Sequence, residues 1–120
     1  MRESKTTNPN LIQLIRFLRK QSEENDAEIW KEVANRLAKP RRKRITVNVS
    51  QLNRHTNKNE TVLVPGKVLG AGRVDNPITV AAFSFSEKSK RKIRGAGGNH
   101  LSVLQLVKEN PDGSNIRIIG

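Results

Sequence analysis

Apolar residues near the start of the chain recur at intervals of three and four, which is the spacing of one face of an α-helix. Asn8 suits the capping position of such a helix and Pro9 its first turn, so a helix is predicted from there to about Gln21. We expect its apolar face to pack against the rest of the protein. That face is formed by Leu11, Leu14, Ile15 and Leu18.

A second helical stripe follows a short acidic stretch. Its residues are Ile29, Val33 and Leu37, with Trp30 and Ala34 beside them. Asp26 is expected to cap this helix, Pro40 to stop it, and Trp30 to lie in the core. Five carboxylates near the helix start suit the positive end of the helix dipole, so they predict a solvated helix start and not a catalytic pair. They are Glu23, Glu24, Asp26, Glu28 and Glu32.

The pattern changes after residue 44 to short apolar runs, which are typical of strands. Residues 45–49 predict an extended segment or the start of a short helix, with Asn48 or Ser50 as its cap. Residues 61–64 predict a short strand, and Pro65 with Gly66 predicts a turn, after which the strand pattern resumes.

The longest apolar run, residues 78–85, predicts a strand that is buried on both faces. Ser86 is expected to cap a very polar helix that follows it. Residues 101–109 predict a last helix with Ser102 as its cap, and after a turn residues 115–119 predict a final strand.

Composition limits the class of protein. The 120 residues predict a single domain over residues 1–120, with residues 1–7 as a flexible tail. Hydrophobic residues make up 34% of the chain, so the core is expected to be modest. Without cysteines we expect neither a disulfide nor a thiolate metal site, and without a long apolar run or a secretory signal we expect a cytoplasmic protein.

Charge gives the strongest indication of function. The chain carries 23 Lys and Arg against 11 Asp and Glu, a formal net charge of +12, and its isoelectric point is near 11.0. Such an imbalance makes a lone domain repel itself, and a polyanionic partner accounts for it best. The chain has only 3 Phe, 1 Trp and no Tyr, which argues against recognition of single bases by stacking.

Residues 39–44 form the first basic cluster, with the sequence KPRRKR. Pro40 keeps the segment extended, and it contains no acid. Basic runs of this kind bind nucleic acid, serve as localisation signals or keep a tail soluble, and the charge of the whole chain favours nucleic acid. We expect this to be the most mobile stretch of the free protein after the first few residues.

Residues 86–94 form the second basic cluster, with the sequence SEKSKRKIR. Within it Ile93 is the one residue that offers an inward anchor. Lys88 and Lys92 share a helical face, and Arg91 is a further candidate for it, because residues three and four apart are neighbours. A helix this polar gains little from packing, so a role facing phosphates is favoured over a merely solvated one.

The glycine-rich stretch that follows residue 65 resembles nucleotide-binding motifs without matching them. Val68 stands where a phosphate-binding loop needs Ser or Thr to hold magnesium. Asp75 stands where a dinucleotide fingerprint needs its third glycine. We therefore predict turn glycines, with a close approach to an RNA backbone left open. His55 and His100 are isolated, so no metal site and no cofactor are predicted.

The order of these signals resembles one known family. The resemblance rests on four stretches, which are TNP at residues 7–9, KPRRKR at 39–44, VLVPGKVLG at 62–70 and NPDGS at 110–114. Over residues 4–120 they resemble the large-subunit ribosomal proteins numbered eighteen-e of archaea and eukaryotes, which are related to bacterial large-subunit protein fifteen. The resemblance implies an α/β fold, an irregular β-β-α superhelix with two helices packed at its N-terminal side. The short length looks archaeal.

The same resemblance implies a structural constituent of the large ribosomal subunit, and no enzyme. It implies large-subunit rRNA and neighbouring ribosomal proteins as partners, with no membrane and no small-molecule substrate. Phosphate neutralisation by Lys and Arg, with release of counterions, would drive binding. The RNA-facing residues that it implies are Lys39, Arg41, Arg42, Lys43, Arg44, Asn48, Lys67, Lys88, Lys90, Arg91, Lys92 and Arg94.

Two other functions fit parts of the sequence. A small architectural protein on DNA would need the same charge, although no helix-turn-helix or zinc module is recognisable. An RNA-processing enzyme would need paired carboxylates in an apolar setting or a metal-ligand spacing, and neither pattern is found in the sequence.

Overall fold

A computed structural model describes residues 9–39 and 45–120. It contains five helices and five strands in these ranges, which confirms the α/β class. In chain order they are α1 (Pro9–Asn25), α2 (Glu28–Leu37), β1 (Ile45–Asn48), α3 (Val49–His55), β2 (Thr61–Leu69), β3 (Thr79–Phe85), α4 (Glu87–Gly95), β4 (Asn99–Ser102), α5 (Val103–Glu109) and β5 (Ile116–Ile118).

The five strands form one sheet in which every pair is parallel. The order is β1-β2-β3-β4, and β5 also pairs with β2. β5 pairs with the first residues of β2, Thr61 to Leu63, whereas β1 pairs with its last residues, Gly66 to Leu69. Because β3 occupies the opposite edge of β2, β1 and β5 lie end to end along one edge.

The predicted turn at Pro65 and Gly66 is wrong, since β2 runs through both residues. Val64 pairs with Ala82 and Lys67 with Ser84, so β2 carries one extra residue here and bulges. Pro65 donates no hydrogen bond, and it stands where the partner of β2 changes from β5 to β1. A Cβ at Gly66 would lie 2.0 Å from the carbonyl oxygen of Ile45, so only glycine fits against β1.

Apolar side chains form two clusters, one with each set of helices. The first joins α1, α2 and α5 to the sheet and contains Trp30, Leu63 and Ala81. The second contains Val62 and Val64 of β2 together with residues of α3 and α4. Neighbouring residues of β2 and β3 alternate between the clusters, which confirms the predicted burial of β3 on both faces and shows the same for β2.

The two N-terminal helices pack together in the first cluster, as predicted. Trp30 is fully buried, and its indole N–H donates to the Pro111 carbonyl oxygen at 2.8 Å. The prediction that Asp26 caps α2 is wrong. Asp26 has a φ of 51°, in the left-handed region, so it ends α1 and leaves Ala27 at the capping position of α2.

The last helix begins at Val103, two residues later than the sequence predicts. Residues 99–102 form β4, which pairs with β3, and Ser102 caps the helix from its new start at Val103. The polar sequence NHLS carries no strand periodicity, so this strand depends on the neighbouring β3. The final strand is present but short.

Candidate nucleic-acid interface

Four connections leave the sheet at one end, among them that from β4 to α5. Parallel strands finish at the same edge, and here β1 leads into α3, β2 into a loop rich in glycine and β3 into α4. We call this end the carboxyl edge, and we call residues 70–75 the glycine loop. Ligand sites of open parallel sheets commonly lie outside the carboxyl ends of the strands.

The side chain of Lys92 holds the glycine loop against α4. Its ammonium group donates to the carbonyl oxygen of Gly70 at 2.7 Å and also to that of Gly72. A Cβ at Gly70 would lie 2.7 Å from side-chain carbons of Lys88, so the loop backbone packs directly on the helix. Lys92 is therefore engaged inside the protein, although the sequence predicts it as an RNA contact.

The side chain of Asn48 holds the same loop from the other side. Asn48 and Gln51 form a reciprocal capping box at the start of α3, which settles the cap on Asn48 and not Ser50. The Asn48 side-chain oxygen also accepts from the N–H of Ala71 at 3.3 Å, and the N–H of Ser50 donates to the Ala71 carbonyl at 3.2 Å. Asn48, too, is occupied in building the edge.

Helix α4 is fixed to the end of β2 by few groups. Ser86 caps it as predicted, accepting from the N–H of Ser89 at 3.1 Å. Ser89 is fully buried with its hydroxyl 3.1 Å from the Val68 carbonyl oxygen, and Ile93 is the buried apolar anchor that the sequence predicts. One apolar and two small polar side chains thus anchor a helix that leaves Lys88, Arg91 and Arg94 exposed.

The basic residues of α4 differ in their surroundings. Lys90 is half-buried and its ammonium lies 3.3 Å from the carboxylate of Glu87. Lys88, Arg91 and Arg94 are exposed, and no carboxylate within the described ranges pairs with them. These three side chains are the open cations of the helix.

The remaining predicted residues lie elsewhere or outside the described ranges. Lys67 is exposed on β2 between Thr46 of β1 and Ser84 of β3. Lys39 is exposed beyond the end of α2, and Arg41, Arg42, Lys43 and Arg44 lie outside the described residues. The structure thus gathers Asn48, Lys88 and Lys92 around the glycine loop.

The charged residues of α4 affect the pKa of His100 in β4. Its ring packs against Phe85, with the ring centroids 5.5 Å apart. Burial lowers the pKa of His100 most, and the charges of Arg94 and Lys90 lower it further, against an opposite effect of Glu87. The ring therefore favours its neutral form.

One basic side chain of the glycine loop is not among the residues that the sequence predicts. The guanidinium of Arg73 donates from Nε to Asp75 at 3.1 Å and from Nη2 at 3.4 Å. The Asp75 carboxylate also accepts from Asn53, and these hydrogen bonds lower its pKa, that of Asn53 most. Arg73 stands alone in the sequence, outside both basic clusters, so only its spacing of two from Asp75 could have drawn attention to it.

The described part of the chain holds neither a candidate metal cluster nor a candidate membrane span. No group of three or more His, Asp or Glu residues there could hold a metal ion. None of the helices in those ranges has the length and hydropathy needed to span a membrane.

Comparison with known proteins agrees with the resemblance seen in the sequence. The family profile described as "Ribosomal protein 60S L18 and 50S L18e" matches residues 1–120. The large ribosomal subunit protein eL18 of Methanothermobacter thermautotrophicus is 53% identical over 119 residues, covering 99% of this chain and 98% of that protein.

Two further archaeal relatives match over nearly their whole length. The eL18 protein of Archaeoglobus fulgidus is 53% identical over 113 residues, covering 94% of this chain and 97% of that protein. The eL18 protein of Methanococcus maripaludis is 47% identical over 119 residues and covers 99% of both. The chain therefore belongs to the ribosomal protein family 60S L18 and 50S L18e, as a structural, non-enzymatic component of the large subunit of the cytoplasmic ribosome.

Proposed function

We propose that this protein binds large-subunit rRNA through the carboxyl edge and the basic segment of residues 39–44, and that it thereby supports the fold and assembly of that RNA. The observation that carries the proposal is the helix α4, which exposes Lys88, Arg91 and Arg94 with no acidic partner in the described ranges. Unpaired cations on one surface attract a polyanion, and release of its counterions favours binding.

The distribution of acids supports the same orientation. Five of the 11 acids lie between residues 23 and 32, two of them in the last turn of α1, one at Asp26 between the helices and two in α2. Carboxylates repel phosphates, so this acidic part faces away from RNA, toward solvent or neighbouring ribosomal proteins. The acids are thus concentrated in one stretch, whereas the two basic clusters at residues 39–44 and 86–94 contain a single acid between them, and this uneven distribution favours one orientation on RNA.

Recognition by shape suits this surface better than recognition of single bases. Phe85 packs against His100, and Trp30 is buried, so neither is an open stacking platform. Folded RNA is recognised mainly through its phosphates and 2′-hydroxyls. If about eight phosphates are neutralised, the logarithm of affinity should fall with the logarithm of salt concentration with a slope of roughly −6 to −7.

The test compares two triple variants with the same change in net charge. K88A/R91A/R94A removes the open cations of α4, and R16A/K20A/K31A removes three exposed cations of α1 and α2. Binding to transcribed large-subunit rRNA in a filter assay should weaken by about a hundredfold for the first. The second should bind within a few-fold of the wild type. Equal losses would show a general charge effect and contradict the proposal.

A third variant examines the segment that lies outside the described residues. R41A/R42A/R44A should weaken RNA binding strongly while the unfolding temperature stays unchanged, since arginines of this kind act on phosphates. Unchanged affinity would remove the segment from the interface. Duplex DNA of equal length serves as competitor, and if it displaced the rRNA at equal concentration, the protein would be a general polyanion binder.

A further inference from the structure

Arg73 lies between two points at which the glycine loop is fixed to the protein. On one side, three successive carbonyl groups, of residues 70–72, accept hydrogen bonds from Lys92 and from the N–H of Ser50. Because these oxygens turn toward the protein, they do not confront an approaching phosphate. The loop backbone that precedes Arg73 is therefore fixed, and its carbonyl oxygens already accept hydrogen bonds from the protein.

The second fixed point is a reciprocal pair between Asn53 of α3 and Asp75. The Asn53 amide group donates to the Asp75 carboxylate at 3.0 Å, and the Asn53 oxygen accepts from the N–H of Asp75 at 3.0 Å. An amide that bonds both the side chain and the backbone of one residue fixes its position and its orientation. Asp75 is thus held before it contacts Arg73.

Asp75 in turn fixes one edge of the Arg73 guanidinium. The Nε and Nη2 atoms point at the two carboxylate oxygens, and the side chain of Arg73 is nevertheless 82% exposed. The bonds to Asp75 leave the Nη1 side of the guanidinium open to solvent. An oriented guanidinium loses less rotamer entropy when it binds a phosphate than a free one does.

We propose that Arg73 is a prearranged contact to a backbone phosphate of RNA, and that Asp75 and Asn53 position it. This inference rests on the proposed function and adds a contact and two positioning residues to the same surface. It also accounts for an acid beside a surface that should bind a polyanion. As an isolated ion pair the exposed Arg73–Asp75 contact would contribute little to stability.

The lowered pKa of Asp75 agrees with this role. Hydrogen bonds from Asn53 and Arg73 both stabilise the ionised carboxylate, so Asp75 stays charged at neutral pH. A charged carboxylate accepts the two guanidinium N–H groups at once, and this geometry fixes the plane of the guanidinium.

The decisive variant removes a negative charge. Asp75→Ala makes the protein more positive, and charge alone would tighten its binding to rRNA. Prearrangement of Arg73 predicts the opposite, a weakening of about three- to tenfold. Asp112→Ala, which removes an acid from the exposed turn after α5, is the matched control and should leave the affinity equal or slightly tighter.

A double-mutant cycle separates positioning from other effects of Asp75. Arg73→Ala should weaken binding about tenfold and reduce the magnitude of the salt slope by about 0.7 to 0.9, the loss of one phosphate contact. Once Arg73 is gone, Asp75→Ala should cause no further weakening. Arg73→Lys keeps the charge but cannot use the same fork, so it should recover only part of the loss.

Several results would overturn the inference. Tighter binding by Asp75→Ala, wild-type binding by Arg73→Lys, or an equal loss from Asp75→Ala with Arg73 absent would each show that Arg73 is not positioned for RNA. The unfolding temperature of each variant reports on loss of fold. If Arg73→Ala binds like the wild type while K88A/R91A/R94A does not, this inference fails and the proposed function stands. Absence of binding by the wild type would contradict both.

Discussion

Different forces stabilise two regions of the molecule, the pair of helices α1 and α2 and the carboxyl edge. In α1 and α2 large apolar side chains are fully buried, among them Leu11, Leu18, Trp30 and Leu37. At the carboxyl edge the glycine loop is held by hydrogen bonds from Lys92 and Asn48, and α4 rests on one isoleucine and one buried serine. Burial of apolar area is the larger stabilising force, so the first region should dominate folding.

The same comparison separates stability from binding. Apolar burial leaves α1 and α2 with a polar outer surface on which acids are numerous, whereas the glycine loop and α4 fully bury one apolar side chain, that of Ile93, and expose their cations. A protein whose binding surface carries little of its stability can vary that surface in charge without unfolding. Variants in the two regions should therefore affect different measurements.

The largest effect on stability is expected from Trp30→Ala. Trp30 is fully buried in the first cluster and donates to the Pro111 carbonyl, so its loss leaves a large cavity and an unpaired acceptor. The free energy of unfolding should fall by about 3–5 kcal/mol in urea denaturation followed by circular dichroism. Leu104→Ala, at a partly exposed site of α5, is the control and should cost far less.

An intermediate effect is expected from Lys92→Met, which keeps the length of the side chain and removes its charge. The carbonyl oxygens of Gly70 and Gly72 lose their donor, and water replaces it in part, so the free energy of unfolding should fall by about 1 kcal/mol. Hydrogen exchange should quicken in the glycine loop. RNA binding should weaken more for Lys92→Met than for Lys20→Met on α1. Equal binding by the two variants would show that RNA binding does not depend on the hydrogen bonds from Lys92 to the glycine loop.

The smallest effect concerns pH and His100. In the folded protein the pKa of His100 lies below the ordinary histidine value of 6.5, so between these two pKa values the unfolded chain binds the proton more readily. This contribution to stability is present above the unfolded pKa and is lost as the pH falls toward the folded one. The urea midpoint should therefore decrease between pH 7.5 and pH 5.5.

His100→Asn should flatten that decrease, whereas His55→Asn on the exposed end of α3 should leave it unchanged. The groups that face His100 are Arg94, Lys90 and Glu87, and those cations disfavour a second positive charge. An identical slope for His100→Asn and the wild type would show that other groups cause the pH dependence.

Local patterns predict much of the fold because helical stripes and caps depend on residues a few positions apart. Leu11, Leu18 and Trp30 lie in the core as expected, and Ser86 and Ser102 cap their helices. The turn expected at Pro65 is wrong because the change of partner along β2 involves β1 and β5, which lie far away in the chain. No local pattern encodes such a change.

The site shows the same limit. Basic clusters are visible in sequence, but the spatial partners of their members are not. Lys92 donates to carbonyl groups about twenty residues earlier, and Asn48 accepts from the N–H of Ala71. The type of a residue therefore does not distinguish a side chain that holds the glycine loop from one that contacts RNA. Arg73 lacks basic neighbours in sequence, and its relation to Asn53 arises only when α3 and the glycine loop meet.

The end-to-end arrangement of β1 and β5 along β2 has a consequence during synthesis. Residues 61–63 can pair with β3 as soon as that strand has emerged, but their other edge stays open until residues 116–118 follow. Open strand edges invite pairing with other chains. A nascent chain that lacks residues 116–118 therefore leaves this edge of β2 unpaired, and β5 covers it once it has emerged.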